Sequence, residues 1–450
     1  MSTDMSERKK RILLISCFFY PQNRIPVLRI GQWAKYWASE GHDVTVLTTK
    51  KYAFMGPFGL DPSLPEEVRV VEVPCLPQFL ERSAMPAIGH GKKQTAGKSI
   101  STESSIKKKV RSLRGYIGSN VDIHDFWVGP AYRAGMHLLA ENRYDAIVSS
   151  YSPPAAHLVA SKLKKKHPDL IWFADFRDLW ANNHITSAKG VFKWMESARE
   201  NRCLRGRANA IITVSRPLAI DLQARHPELP VWVIENGFDP QEFPRWMQVV
   251  SAGPQLTGNI TICYAGTIYP NRRDPTPLFN AVNELIDSGE LSPEKIKIEF
   301  YGQNEQELSE IIQRTRANRH NIIKIKGFVT RQVSLEAQRR SDLLLLLESG
   351  EPLAKGMLTG KVFEYLVSGI PILAVGIDNT HAAGELLENT GTGYCSSDTD
   401  ELKRLLLAAI ELKHFSFYRP RKDLIARFSR QIQARSIIDR LAAFQGAASC

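Results

Sequence analysis

Three short stretches of this 450-residue chain hold residues whose types and spacing suit chemistry on an anionic substrate. The first is Thr359-Gly-Lys361-Val-Phe-Glu364-Tyr-Leu-Val-Ser-Gly369-Ile-Pro371. Thr359 is a fitting N-cap and Gly369 and Pro371 are stop signals, with about two helical turns between them. Lys361 then lies in the first turn, where free backbone N–H groups and the helix dipole already favour an anion. Glu364, three residues on, shares its helix face. A cation beside a helix start with a carboxylate one turn later suits a nucleotide sugar, the cation for the diphosphate and the carboxylate for the ribose hydroxyls. The same spacing also describes an i,i+3 surface ion pair, and spacing alone does not separate the two.

The second stretch is Tyr264-Ala-Gly266-Thr-Ile-Tyr-Pro-Asn271-Arg272-Arg273-Asp274-Pro275. It reads as a strand running into a glycine turn, two arginines and an Asp-Pro helix start. Gly266 lets the backbone approach a ligand, and Arg272 or Arg273 can grip a phosphate with paired hydrogen bonds. A solvated basic loop would look the same. The third is Asp175-Phe-Arg177-Asp178-Leu-Trp180, at the carboxyl end of a predicted strand, where charged residues either meet substrate or form a salt bridge. Ser149–Pro154, next to it in the predicted sheet order, reads as a polar turn. Neither G-x-x-x-x-G-K-[S/T] nor G-x-G-x-x-G follows an opening strand, which argues against ATPases and typical dehydrogenases.

These residues need a scaffold of alternating strands and helices, and the periodicities supply one. Ile12–Phe19 is an apolar run, and Ile30, Trp33, Ala34, Trp37 and Ala38 follow at the spacing of a buried helical stripe. Val44–Leu47 is the next strand, so the opening is a βαβ unit of a parallel sheet. The same grammar predicts helices over 129–141, 155–166, 193–204 and 217–225, and strands at 146–150, 170–174, 210–214 and 231–234. Gln248–Gly258 has linker composition. The pattern then restarts with strands at 260–265, 296–301, 322–325, 343–347 and 372–375, and helices at 277–286, 305–316 and 361–367. The expected α/β architecture is two Rossmann-like doubly wound domains, 1–247 and 258–425, facing a central cleft, with a C-terminal helix over 426–450 that packs back on the first domain. Ligands of such sheets bind beyond the carboxyl ends of the strands.

Composition bounds the rest. With 43% hydrophobic and 24% charged residues the chain has material for large cores, which excludes disordered, fibrous and small disulfide-stapled classes. Six scattered cysteines (Cys17, Cys75, Cys203, Cys263, Cys395, Cys450) form no C-x-x-C pair, so neither a zinc site nor a disulfide framework is expected, and a cytoplasmic setting is. Arg8–Arg11 before Ile12–Phe19 resembles a signal peptide, but the apolar run is short and ends at Tyr20-Pro21 without a small-residue cleavage pattern. No stretch reaches the ~20 apolar residues of a membrane span.

The formal net charge is +12, and it is concentrated. Between Lys92 and Arg114 stand eight basic residues against the single acid Glu103, inside a Gly-, Ser-, Thr- and Lys-rich insertion over about 78–118. Ile106, Val110, Leu113 and Ile117 fall at helical spacing among them. That is the pattern of a basic amphipathic helix on an anionic membrane surface, and equally of a solvated loop. Nucleic acid is disfavoured, because no aromatic residues interleave these cations.

The chain resembles family 4 retaining glycosyltransferases of the GT-B fold over nearly its whole length. The resemblance is carried by Tyr20-Pro21 with Glu40-Gly41-His42-Asp-Val-Thr-Val, by Asp175–Trp180, by Asn236-Gly237-Phe-Asp239 with Phe243, and by Lys361-Val-Phe-Glu364-Tyr-Leu with Gly369 and Pro371, in the expected order. It implies transfer of a sugar from a nucleotide sugar, a substrate rather than a cofactor, with retention at the anomeric carbon and without a metal. By this resemblance Glu364 holds the donor ribose, Arg272 or Arg273 and Lys361 hold the diphosphate, and Gly266 allows close backbone approach. Gly327-Phe328 flanks the nucleobase. Arg177, Asp178, Arg272 and Lys361 are the catalytic candidates, and Arg24, Arg29 and Asp178 lie on the acceptor side. The usual acceptors are lipid-linked saccharides of surface polysaccharides, which implies a cytoplasmic protein peripheral to the inner membrane face.

The resemblance breaks at three places. The family carboxylate eight positions before the ribose-binding glutamate falls on Gly356, with Glu348 and Glu351 as substitutes. A histidine common in the first domain is missing where Arg177-Asp178 stands. The first loop reads Gln22-Asn-Arg24-Ile-Pro-Val-Leu-Arg29 instead of carrying Gly-Gly. A nucleotide-sugar 2-epimerase of the same architecture, with His184 and His381 as its candidate histidines, and a degenerate binding protein are the alternatives.

Overall fold

The computed structural model describes residues 8–56, 58–60, 64–75, 118–183, 188–254, 256–269 and 272–447. The expected basic helix over 106–117, most of the 78–118 insertion, and His184 lie outside the described residues. By internal contacts the chain divides into two compact units, residues 1–235 with 430–450, and residues 236–429.

The first unit is built on a seven-stranded sheet of β1 (Arg11–Ser16), β2 (Asp43–Thr49), β3 (Arg69–Val73), β4 (Ala146–Tyr151), β5 (Ile171–Phe176), β6 (Ala210–Thr213) and β7 (Val231–Val233). Its order is β3-β2-β1-β4-β5-β6-β7, with every pair parallel. Helices cover both faces, so β1, β2 and β4 are buried along nearly their whole length, β1 as a continuous apolar run and β2 and β4 with threonines and serines among their buried residues. β1 stops at Ser16, short of the apolar run's end. The Ser16 hydroxyl donates to the Phe18 carbonyl at 2.8 Å, and Phe18 and Phe19 continue as a loop.

The helix Ile25–Ser39 buries the predicted stripe of Ile30, Trp33, Ala34 and Trp37. Against it packs the last helix, Arg430–Ala447, through Ala434, Ile437, Ile438 and Leu441. Trp37 Nε1 donates to the Ala434 carbonyl at 2.8 Å, which satisfies a buried indole N–H. β3, an edge strand with two of its first four residues charged, gave no clear signal in the sequence.

The second unit carries a six-stranded parallel sheet of β8 (Ile260–Ala265), β9 (Ile296–Tyr301), β10 (Ile323–Gly327), β11 (Leu343–Leu347), β12 (Ile372–Val375) and β13 (Gly393–Cys395), in the order β10-β9-β8-β11-β12-β13. β11 is five consecutive leucines, all buried. The division between the units falls at Glu235–Asn236, earlier than the linker-like composition of 248–258 places it. Trp246–Ala252 is a helix whose Trp246 and Val250 join the core with Phe238, Val362 and Phe363, and Trp246 meets the Phe238 ring edge-on at 5.3 Å. The small and polar residues that resemble a linker are the exposed end of that helix and the loop after it. No helix among the described residues is long and apolar enough to cross a membrane.

Candidate functional site

In the second sheet the strand order reverses between β8 and β11, the point where open parallel sheets leave a crevice at their carboxyl ends. β8 runs into Gly266 and β11 runs into Glu348. The helix Gly360–Leu366 is tied to the same point, since the Ala265 N–H donates to Tyr365 Oη at 3.1 Å.

Its Lys361 reaches back over β8. Nζ lies 3.3 Å from Tyr264 Oη and 4.4 Å from the centre of the Tyr264 ring, a hydrogen bond combined with a cation–π contact. A Cβ on residue 266 would overlap Lys361 Nζ, so close approach is what requires glycine there. Arg273 comes in from the loop after β8. Its Nη1 donates to the Thr267 carbonyl at 3.0 Å, its Nη2 lies 3.5 Å from Glu348 Oε2, and its guanidinium lies 4.9 Å from the Tyr269 ring centre. Arg272, the other candidate, is exposed and its side chain bonds to nothing among the described residues. Of the two arginines, Arg273 enters the cluster.

Glu348 is buried and also accepts the Thr359 hydroxyl at 2.8 Å. Thr359 occupies the N-cap position as predicted, but its side chain caps no helix N–H. Glu351 is exposed. Of the two carboxylates proposed to replace the one expected at Gly356, Glu348 is therefore the one among the cations. Two cations, Lys361 and Arg273, converge beside this single buried carboxylate. Burial first, and the Arg273 charge second, pull the Lys361 ammonium down to about 7, with Glu348 and Glu364 opposing the shift. The charge of an arriving anion would oppose both.

Glu364 does not pair with Lys361. It accepts from Arg331 Nη1 at 2.6 Å, and the other end of that guanidinium meets Glu242 at 2.8 Å. The i,i+3 ion pair is thus not formed, and the two residues of the helix act in different directions. Arg331 opens the helix Arg331–Arg339 after β10, and nothing in the sequence pattern singled it out. Just before it, Gly327 accepts the Gly302 N–H at 2.9 Å, and Phe328 stands 68% exposed, an uncovered aromatic face at the carboxyl end of β10. His381 is buried and bonded to Asp378 at 2.9 Å.

The first unit treats its charged residues differently. Arg29 is 5% exposed and Asp175 fully buried. Arg29 Nη2 and Nε meet the carboxylate at 2.8 and 3.1 Å, Nη1 and Nη2 also donate to the Glu235 and Ile234 carbonyls at 2.8 Å each, and Ser150 Oγ donates to Asp175 at 2.7 Å. Arg29, expected on the acceptor side, is therefore committed to the interior and offers no donor to an acceptor. Arg24 is exposed and leans on the carbonyls of Met55 and Gly56, with its guanidinium 5.2 Å from the Phe18 ring centre.

After β5, Arg177 Nη1 lies 3.1 Å from Asp178 Oδ2, while Arg177 Nε is buried without a partner. This pair is half-buried and incompletely satisfied, unlike Arg29–Asp175. Beneath it His157 is wholly buried among Tyr151, Phe176 and Trp172, accepts or donates at Ser149 Oγ (2.7 Å), and is pushed down to about 3 by burial. It is a neutral core histidine.

Residues 26–237 match the family model of the glycosyl transferase 4-like domain. Solved structures similar to the chain include a glycosyltransferase from Rickettsia africae ESF-5 (13% identity, TM-score 0.56, covering 96% of this chain and 98% of that one) and a lipopolysaccharide outer core galactosyltransferase in its apo form (12%, 0.55, 97% and 99%). A sucrose-phosphate synthase from Thermosynechococcus elongatus is also similar (12%, 0.53, 98% of both). At such identities the likeness is one of fold. No curated protein sequence matches the chain. Residues 26–237 are thus similar to a glycosyl transferase 4-like domain, and the two parallel-sheet units share the GT-B fold of these solved structures.

Proposed function

We propose that the protein is a retaining, metal-independent glycosyltransferase that takes a sugar from a nucleotide sugar and passes it to a lipid-linked saccharide or another surface-polysaccharide precursor. The observation that carries this reading is the convergence of Lys361 and Arg273 on Gly266 at the switch point of the second sheet, with Glu364 on the same helix as Lys361. Two cations at a glycine with no side chain to interfere suit a diphosphate, and they stabilise its charge as the glycosidic bond breaks. Glu364 takes the ribose hydroxyls with the oxygen that Arg331 leaves free, and the exposed Phe328 ring offers the base a stacking face.

As the bond from C1 to the phosphate oxygen breaks, the acceptor oxygen bonds C1 on the same face and its proton passes to the departing phosphate. Arg177-Asp178 supplies the acceptor-side charge. The glycosyl transferase 4-like match over 26–237 supports the same class. The working place that follows is the inner face of the cytoplasmic membrane.

The test is a thermal-shift and hydrolysis screen against a panel of nucleoside diphosphates and nucleotide sugars. At least one should raise the melting temperature by mass action. A flat response across the panel would sink the donor assignment.

A further inference from the structure

Among the described residues, a marked departure from an ordinary surface lies in the first unit, on a helix and a neighbouring segment whose His124 meets the Phe18 ring edge-on at 5.4 Å. On the helix Val191–Leu204, Val191, Trp194 and Met195 stand at i, i+3 and i+4 on one face and are all exposed, Trp194 by 70%. The opposite face is buried through Glu196, Glu200 and Cys203. Alongside runs the segment 118–127, which exposes Val121, Ile123 and Phe126, the last by 59%.

The two elements are fastened to one another. Asn120 Nδ2 donates to the Phe192 carbonyl at 2.9 Å, Arg199 Nη1 donates to the Ser119 and Asn120 carbonyls at 3.1 and 3.0 Å, and Arg199 Nη2 meets Asp125 at 2.7 Å. The six apolar side chains therefore ride on one rigid base. Large exposed apolar patches on such a base mark an interaction site.

Charge identifies the partner. Lys189, Lys193 and Arg202 are exposed around the apolar face. The acids of the same two elements are turned inward: Asp125 is held by Arg199, Asp122 accepts the His124 N–H at 2.9 Å, and Glu196 and Glu200 are buried. The chain also enters this face at Gly118, directly after the stretch Lys92–Arg114 with its eight basic residues and one acid. An exposed tryptophan and phenylalanine ringed by long cations fit the boundary of an anionic bilayer, with the rings at the headgroup level and the cations on lipid phosphates. We infer that the face formed by Val191–Met195 and Val121–Phe126 docks the protein on an anionic lipid surface.

The experiment is co-sedimentation of the full chain with vesicles of phosphatidylcholine alone or mixed with phosphatidylglycerol. Wild type should pellet with the mixed vesicles and remain in solution with pure phosphatidylcholine. The double variant Trp194→Ser/Phe126→Ser should bind the mixed vesicles about tenfold or more weakly, because two large rings no longer enter the interface. Lys189→Glu/Lys193→Glu should lose several-fold and respond to salt. Unchanged melting of both variants shows that they fold. Equal pelleting of wild type and Trp194→Ser/Phe126→Ser would overturn the inference, as would pelleting that ignores anionic lipid. So would a lipid-free dimer that this variant dissociates, which would make a second copy the partner.

Discussion

Two arginine–carboxylate arrangements in this molecule have the same chemistry and opposite environments. In the first unit Arg29 and Asp175 are sealed inside, and nearly every hydrogen-bonding position on both groups is filled by Ser150 and the carbonyls of Ile234 and Glu235. In the second unit Arg273 lies 3.5 Å from Glu348, Lys361 leans on a tyrosine, and Glu364 offers one oxygen to an Arg331 that is 45% exposed. A sealed and saturated pair has nothing left for a ligand, and it stitches strands and helices into one interior. A loose cluster with two cations around one carboxylate is electrostatically unfinished, and the proposed donor site rests on that surplus. Burial and saturation, more than residue type, separate architecture from chemistry here.

The sharpest way to break this contrast is to cut one partner from each. Arg29→Ala leaves the Asp175 carboxylate buried and unpaired, and should cost the first unit about 3–5 kcal/mol, read from its urea unfolding midpoint. Arg29→Met with Asp175→Leu should recover most of that loss. A mild single variant would mean that the pair is not the interior staple it resembles. Lys361→Met should do the reverse. It should leave melting unchanged or slightly raised, because a desolvated cation is removed. Nucleotide-sugar affinity should fall by about ten- to a hundredfold, the ~1.5–3 kcal/mol of a charged hydrogen bond. Isothermal titration measures the second effect, and undiminished affinity would remove Lys361 from the site.

The contrast also explains what could be read from the sequence. Most sheet strands are legible because buried parallel strands are apolar runs, as in Leu343–Leu347, and the helix Ile25–Ser39 because its stripe is regular, whereas the edge strands β3 and β13 carry no such run. Lys361, Gly266 and Arg273 were legible as candidates since each lies just past a strand or at a helix start, where local sequence dictates position. Choosing between Arg272 and Arg273 was not possible, because which of two adjacent side chains turns inward depends on Glu348, some 75 residues later. The burial of Arg29 is hidden from local sequence for the same reason: Asp175, its partner, is 146 residues away. Arg331 carried no signal at all, since its role rests on the side chains of Glu242 and Glu364 meeting it in space.

A subtler prediction concerns pH. With the free ammonium of Lys361 pulled down to about 7 by burial and Arg273, a bound diphosphate raises that value, so binding takes up a proton. The protonated form is the one that binds, so affinity is flat below about pH 6, falls about twofold by pH 7 and about fivefold more between pH 7 and 8. A nucleotide sugar is the right probe, because its diphosphate has no titrating terminal oxygen in this range. Titrations in two buffers of different ionisation enthalpy should reveal the proton directly, and Lys361→Met should lose the dependence. Affinity that rises with pH would show that the lysine is not where the charge is read.

The smallest effect should come from Arg331. Its two ion pairs, to Glu364 and Glu242, are between partly exposed groups, and pairs of that kind contribute about 0–1 kcal/mol. Arg331→Gln should therefore barely change stability. Yet the guanidinium holds one oxygen of Glu364 at 2.6 Å and so decides which way the other faces. It also tempers a negative charge that would otherwise stand near the incoming diphosphate. The expected outcome is a donor KM raised about threefold with kcat nearly unchanged, as for a residue that orients a binding group without meeting the reacting atoms. Arg331→Lys, which keeps the charge but loses the two-ended grip, should recover only part of the effect. If Glu242→Gln reproduces the change in KM, the whole three-residue bridge sets the carboxylate's direction; if it does not, the Arg331–Glu364 half suffices, and the contrast with the saturated Arg29–Asp175 pair becomes sharper still.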